Sequence, residues 1–333
     1  MNNIASTASQ ALVWTGGSSL EIQAIEPSPS FENWIPIDVA YVGICGTDLH
    51  LSDGHHSRAL PGIVLGHEFS GRLASEHNGH EAGTPVFVNT MIHCGDCDSC
   101  SAGRVNICKN LRAIGIDYPG AMTSKVFVPI ENIYILPVEY SLQRAAIIEP
   151  AAVAVRALRR GGVTKGSKVH VFGAGPIGCL VALLSLEAGA SNVTLSEPST
   201  TRKALASKLG LKVSNDHKMA ADVVFNATSG DAVSEIMVEA IRPGGSVVVV
   251  GSYSKGNHPV DLMGVMFTEA TIIGSRIYEK EDILAAISLL GQAFSQIESI
   301  ITDIVPLNQA VPAFDKLRDG TSLKILLKVD QGR

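Results

Sequence analysis

Short apolar runs broken by glycine and proline open the chain. Residues 11–14, 20–25 and 35–42 alternate or run apolar, and none carries a helical period. They predict strands, and similar text returns at 63–65, 123–129 and 133–137. The first segment, to about Glu149, is therefore expected to be a β-rich, barrel-like domain. Beyond it the pattern changes to a βα rhythm. A strand over 167–172 is followed by Ile177, Leu180, Val181, Leu184 and Ala188 on one helical face. Further strands are predicted at 192–196, 221–228, 247–250 and 271–275, with a helix over 232–241 ended by Pro243-Gly244-Gly245. This alternation predicts a doubly wound parallel sheet. Residues 281–294 read as an amphipathic helix, and 301–306 and 323–329 as strands returning to the first domain. The expected division is 1–150, 151–293, and a return to the first domain over 294–333.

A length of 333 residues exceeds what one hydrophobic core fills, which agrees with two domains. With 46% apolar and 17% charged residues, well-filled cores are expected. A net charge of −6 disfavours nucleic acid or an anionic membrane surface as the main partner. No apolar run approaches the ~20 residues that span a bilayer. The opening MNNIASTASQ has neither a basic nor an apolar signal region, so a cytoplasmic location is expected.

The six cysteines are not spread as a disulfide framework. Cys94, Cys97, Cys100 and Cys108 form a C-x2-C-x2-C-x7-C cluster, with Gly95, Asp96, Ser99 and Gly103 between them. Four thiolates on short turns suit a closed tetrahedral structural zinc site; an iron–sulfur cluster and two disulfides are the alternatives. Cys179, alone in an apolar helix, reads as a core residue.

A second chemical cluster lies in Gly43-Ile44-Cys45-Gly46-Thr47-Asp48-Leu49-His50. Cys45 offers a thiolate to a borderline cation, Thr47 a hydroxyl that passes a proton, and Asp48 a carboxylate that orients a neighbouring ligand. His50 titrates near neutral pH and exchanges protons with water. The plain alternative is a glycine-punctuated turn with a buried thiol. Gly66-His67-Glu68 adds a nitrogen and an oxygen ligand at a strand end. With Cys45 these make the three-ligand set of a catalytic zinc with one open position; alone they are two polar side chains in solvent. Glu149, inside an apolar run and just before Pro150, is either paired with a metal or begins a helix. His55, His56, His77, His80 and His93 are expected to be loop residues without a role.

Gly173-Ala174-Gly175-Pro176-Ile177-Gly178 stands between a predicted strand and a predicted helix, the context in which a glycine-rich turn holds a dinucleotide pyrophosphate. The next strand ends in Glu197, placed to bind adenosine ribose hydroxyls and to repel a 2′-phosphate. NAD is therefore favoured over NADP, with Arg202 nearby as the opposing consideration. Thr228 and Ser252, at later strand ends, are expected to face the dinucleotide.

Taken in order, Cys45-Gly-Thr47-Asp48-Leu-His50, Gly66-His67-Glu68, the four-cysteine loop, Glu149-Pro150, the glycine-rich turn and Glu197 make the chain resemble the zinc-dependent medium-chain dehydrogenases of the alcohol dehydrogenase family over nearly its whole length. Glu149-Pro150 is most similar to the polyol branch of sorbitol, butanediol and threonine dehydrogenases. The resemblance implies a GroES-like catalytic domain completed by the C-terminal segment, a Rossmann cofactor domain, and a homodimer or homotetramer. It implies a catalytic zinc held by Cys45, His67 and either Glu68 or Glu149, a proton relay through Thr47 and His50, and Asp48 behind His67. It also brings Arg276, in Gly274-Ser275-Arg276-Ile277-Tyr278, toward substrate or cofactor. The implied activity is NAD-dependent oxidation of a secondary alcohol, diol or polyol to a ketone. Primary-alcohol or aldehyde specificity, and a non-catalytic zinc- or dinucleotide-binding protein, are the alternatives. The chain departs from many relatives in having Arg156 where they have His, Gly83-Thr84 where Gly-Asp is usual, and a short loop over 71–83.

Overall fold

The strand Trp34–Gly43 organises the first of two units in the computed structural model, which describes residues 9–214, 216–292 and 296–329. Its inward residues are Ile37, Val39 and Val42. A register shift between Val39 and Tyr41 explains the change of parity: the extra residue keeps Val42 facing inward after Val39. The strand pairs antiparallel with Glu68–Leu73, Lys324–Lys328 and Lys125–Pro129, so segments far apart in sequence meet on one ladder. Pro85–Val88 and Ile133–Ile135 continue the sheet on one side, and Ile301–Pro306 runs parallel to Lys324–Lys328 on the other. A second sheet joins Ser9–Gly16 to Ser19–Ile25 and Ile63–Val64. Leu12, Trp14, Ile37, Phe69, Val86, Ile325 and Leu327 fill the core. The helix Ala310–Arg318 closes it with Ala313, Phe314 and Leu317, which share one helical face.

This unit comprises the described residues up to Glu149, then Ile301–Asp319, and those from Lys324 onward. The return to it begins at Ile301, later than the expected residue 294. The turn Gln296–Ile300 instead belongs to the second unit, where Ile297 and Ile300 are buried.

The second unit is built on a six-stranded parallel sheet. In spatial order the strands are Lys212–Val213, Asn192–Ser196, Lys168–Phe172, Ala221–Asn226, Ile241–Val249 and Thr271–Gly274. Strand order reverses between Lys168–Phe172 and Ala221–Asn226, which opens a crevice at the carboxyl ends of those strands. The helix Pro176–Glu187 is buried along most of its length, and Cys179 lies fully in the core.

Two expected boundaries move. The helix predicted over 232–241 is Asp231–Ile236 followed by a 3-10 turn, Met237–Ala240. The next strand already starts at Ile241, paired to Ala221, and a ladder irregularity absorbs Pro243-Gly244-Gly245 before pairing resumes at Ser246. The helix predicted over 281–294 is Lys280–Leu290, and Phe294 lies outside the described residues.

Arg156 turns away from metal chemistry. It and Arg159, on the helix Ile148–Gly161, bind Glu279 and Asp282 at the start of Lys280–Leu290; Arg159 Nε reaches Asp282 Oδ1 at 2.9 Å. Among the described residues no helix is long and apolar enough to cross a membrane.

His170 lies in the middle of the parallel sheet, fully buried, with Nδ1 2.8 Å from Thr194 Oγ1 and Nε2 3.1 Å from Ser196 Oγ. Burial lowers its pKa from 6.5 to about 4. On acidification the unfolded chain takes up this proton first, so stability is lost as pH falls from 6.5 toward about 4. Replacing His170 by Gln should flatten that loss by on the order of 3 kcal/mol. Urea unfolding of both chains at neutral pH and near pH 4.5 measures it; parallel pH dependences would refute it.

Candidate metal and cofactor sites

The end of the organising strand sets the first site. Gly43 is paired with Glu68 on one neighbour and with Leu326 on the other. Residues just past these pairs therefore meet. Cys45 caps the helix Gly46–Ser52, and Asp48 completes the cap: its Oδ2 accepts the Cys45 N–H at 2.9 Å. His67 and Glu68, at the start of the facing strand, are both buried. The ligand atoms of Cys45, His67 and Glu68 all lie within 4.8 Å of one another. Sulfur, imidazole nitrogen and carboxylate oxygen are the donor types of a three-ligand zinc centre.

The surroundings suit a cation. Asp48 Oδ1 stands 3.5 Å from His67 Nδ1, both atoms buried and otherwise without a hydrogen-bond partner, which leaves Nε2 as the ring's ligand atom. Burial works against a charged His67, but Asp48 and Cys45 outweigh it and hold its pKa well above 6.5. Such a site favours positive charge. Thr47 Oγ1 accepts from the Cys45 thiol at 3.7 Å, and His50, one helical turn further, is exposed. Glu149 is buried in the first turn of Ile148–Gly161 and stands outside the Cys45–His67–Glu68 trio.

Lys324, by pattern only a residue of the strand 323–329, belongs to this site. Its Nζ lies 2.6 Å from Glu68 Oε2 and 3.0 Å from the Ile44 carbonyl. Burial opposes its charge, yet Glu68 and Cys45 keep its pKa above that of an ordinary lysine. The available signal was an ammonium group inside the otherwise apolar run Leu323-Lys324-Ile325-Leu326-Leu327.

The four-cysteine loop hangs from a two-stranded ladder, Met91–Ile92 with Arg112–Ala113. Sγ atoms of Cys94 and Cys108 are 3.4 Å apart, those of Cys97 and Cys100 3.6 Å, and those of Cys97 and Cys108 3.9 Å. A tetrahedral zinc with Zn–S bonds of about 2.3 Å has S···S edges of about 3.8 Å. The spacing fits one ion and leaves no room for a cluster. The three Sγ–Sγ separations are all well beyond the ~2.05 Å of a disulfide bond, and the six cysteines are unbonded. Backbone N–H groups of Lys109 and Cys100 lower the pKa of Cys97 to about 6, while burial pushes Cys100 up to about 12.

The second unit presents a separate cradle along the carboxyl edge of its sheet. Gly173 is in a left-handed turn with φ 98°, and a Cβ on Gly178 would fall 1.9 Å from the Gly173 carbonyl oxygen. Only glycine lets the helix Pro176–Glu187 start so close to the strand. A Cβ on Gly175, by contrast, would meet nothing within 4 Å, so the turn leaves open space beside the helix N-terminus. That is where a pyrophosphate is held in such turns. Pro176 and Ile177 form the first helical residues there.

Glu197 is buried at the end of the next strand. Its Oε2 accepts the Ala174 N–H and its Oε1 the Ser199 N–H, each at 2.9 Å, which ties the acid to the glycine turn. Its remaining lone pairs can still accept hydroxyl groups. Arg202 lies one turn into the following helix, Thr200–Lys208. Thr228 donates from N and Oγ1 to Asn226 Oδ1 at 3.0 and 2.8 Å. Ser252 and Arg276 are exposed just past the ends of the next two strands. The residues expected at a dinucleotide thus fall at successive strand ends.

The chain is similar to known proteins over most of its length. Residues 32–138 match the family model of the alcohol dehydrogenase GroES-like domain, and residues 176–292 that of zinc-binding dehydrogenase. The chain is 35% identical over 303 residues to 2-dehydro-3-deoxy-L-galactonate 5-dehydrogenase of Pseudoalteromonas atlantica, covering 86% of this chain and 88% of that protein. It is 27% identical over 321 residues to sorbitol dehydrogenase of Halalkalibacterium halodurans, covering 91% and 93%. A Sinorhizobium meliloti structure bound to NADP superposes with a TM-score of 0.89 at 26% identity, over 97% of this chain and 100% of that one. With the GroES-like and Rossmann folds, the two sulfur-bearing clusters and these matches together, the chain belongs to the zinc-dependent medium-chain dehydrogenase family of oxidoreductases, nearest in motif to its polyol branch.

Proposed function

We propose that the protein transfers a hydride between NAD and a secondary hydroxyl of a polyol or related polyhydroxylated compound, giving a ketone. The observation that carries this reading is the convergence of Cys45, His67 and Glu68 within 4.8 Å, on a fold that also presents a dinucleotide cradle. Relatives that act on sorbitol and on a sugar acid at carbon 5 support a secondary alcohol as substrate.

Cys45, His67 and Glu68 would hold a catalytic zinc, and buried Glu149, whose charge reaches Lys324, is the alternative carboxylate. A zinc ion there supplies Lewis acidity, lowering the pKa of a substrate hydroxyl toward neutrality. Asp48 would hold the His67 ring through Nδ1, leaving Nε2 to ligate the ion. Thr47 would relay the hydroxyl proton, accepting it as it gives up its own toward His50. His50, three residues on and therefore on the same helical face, releases it to water. NAD supplies the hydride acceptor. The Gly173–Gly178 turn offers backbone N–H groups to its pyrophosphate, and Glu197 accepts from the adenosine ribose hydroxyls. The same carboxylate opposes a 2′-phosphate, which supports NAD over NADP.

The four cysteines would hold a second zinc, structural in role, because a closed set of four ligands leaves no position for substrate. A homo-oligomer is supported by Thr271–Gly274, an edge strand among the described residues, and by Leu262, Met263, Met266 and Phe267, all exposed on one short helix.

Substituting Cys45 by Ala should lower kcat/KM on polyols at least about 1,000-fold while NADH binding, followed by fluorescence, stays within a few-fold. Unchanged turnover would overturn the assignment. Metal analysis should find about two zinc ions per chain, and Cys100→Ser about one, with a lower thermal midpoint. A Cys100→Ser chain that keeps its full zinc content would show that the cluster is not a metal site. In Glu197→Gln the ratio of kcat/KM for NAD over NADP should fall at least about tenfold as the repelling charge is lost. An unaltered ratio would place cofactor choice elsewhere.

A further inference from the structure

The loop that follows Ile241–Val249 is held by a histidine outside every site described above. His258 lies near the end of that loop, with its side chain 23% exposed. Its Nδ1 stands 2.7 Å from Asp231 Oδ1, and its Nε2 stands 2.9 Å from the Ser254 carbonyl oxygen. A carboxylate and a carbonyl oxygen only accept hydrogen bonds, so both ring nitrogens must donate, and only the imidazolium carries both protons. The Ser254 carbonyl and the Asp231 carboxylate accordingly raise the pKa of His258 above 6.5. On the facing turn 226–231 the charged group is Asp231. Within 252–260 the other titratable groups are Tyr253, whose ring packs on the imidazole at 4.7 Å between centroids, and exposed Lys255.

These contacts join two turns that border the glycine-rich cradle. Asp231 follows the strand Ala221–Asn226, and His258 follows its neighbour. Fully buried Asn226 spans the same gap from inside. Its Oδ1 accepts from Thr228 at N and Oγ1, and its Nδ2 donates to the Tyr253 hydroxyl at 2.8 Å. A Cβ on Gly251 would fall 1.6 Å from the Thr228 carbonyl oxygen, and one on Gly173 2.9 Å from the Thr228 methyl group. The loop carrying Ser252 and the turn carrying Thr228 therefore close together against the first glycine of the cradle. The inner tie between them is an amide–phenol bond; the outer tie depends on a proton.

We infer that His258, as imidazolium, is a positioning residue for dinucleotide binding: its two bonds latch the loop 252–260 onto the turn 226–231 and hold Ser252 at the cofactor, and loss of the ring proton releases the latch. The inference rests on the reading of the Gly173–Gly178 turn and Glu197 as a dinucleotide site. A neutral ring keeps one proton, so one of its two acceptors loses its donor and the attraction to Asp231 goes with the charge. The latch is present below the pKa of His258 and lost as pH rises through it. Exposed ion pairs contribute modestly, so the dissociation constant for NADH should rise about threefold between about pH 6 and about pH 9.

The test is NADH affinity of the full-length chain across that range, by fluorescence titration, with His258→Gln and Asp231→Asn beside it. Gln does not titrate, so the rise should be absent in His258→Gln. Asp231→Asn removes a charge that raises the pKa of His258 and should move the midpoint of the rise to lower pH, whereas a merely structural contact would weaken NADH equally at every pH. A rise in the unsubstituted chain that His258→Gln abolishes supports the inference. An equal rise in both chains, or no rise in either, overturns it. If His258→Gln does not fold, Asp231→Asn decides alone, and an unmoved midpoint overturns the inference. If the unsubstituted chain binds no NADH at any pH, the dinucleotide reading itself fails and the inference falls with it.

Discussion

The register of the strand Trp34–Gly43 against its two neighbours is the constraint on which the convergence of Cys45, His67, Glu68 and Lys324 depends. Gly43 opposite Glu68 on one side and opposite Leu326 on the other brings three distant segments to one strand end. In a ladder of period two, a slip of one residue would turn Glu68 to the other face and separate it from both Cys45 and Lys324. The buried apolar faces of these strands guard against such a slip, since Val42, Phe69, Ile325 and Leu327 would have to leave the core with it. Hydrophobic patterning thereby specifies the positions of polar groups that could not hold themselves together in a buried setting.

The pair at that junction has its own electrostatic logic. An unpaired carboxylate or ammonium in so buried a position would be strongly disfavoured, and breaking such a pair typically costs about 3–5 kcal/mol. Glu68 therefore keeps the Lys324 ammonium as its partner while it stands within 4.8 Å of the donor atoms of Cys45 and His67. Asp48 shows the same economy of placement: one oxygen caps a helix at Cys45 and the other faces His67. A single carboxylate links the fold of the local turn to the orientation of a ligand.

The two sites are assembled in different ways. The dinucleotide cradle forms where a parallel sheet brings its strand ends into line, so Gly173, Glu197, Thr228 and Ser252 follow one another at regular βα intervals. The Rossmann unit needs only local alternation to position them. The Cys45–His67–Glu68 trio needs the pairing of two strands, and Lys324, the partner of Glu68, arrives on a third strand contributed by the C-terminal segment.

That difference decides how much could be read without coordinates. Short-range periodicity marked the β-rich and βα halves, the four-cysteine loop, the glycine turn and Glu197, because each is a local pattern with a local physical cause. Cys45 and His67-Glu68 were legible as donors for the same reason. The two-turn helix 46–52 was not, since it depends on Asp48 folding back onto Cys45. The start of a strand at Ile241 was hidden by Pro243-Gly244-Gly245, which ordinarily marks a turn and is here absorbed by a ladder irregularity. Arg156 was conspicuous in sequence, but its ion pairs with Glu279 were not, being more than a hundred residues away. Sequence alone therefore established which chemical groups are present and the period on which each lies. Tertiary pairing decided which of them share a charge, because a buried lysine finds its carboxylate through strand register, and register is a long-range property of the folded chain.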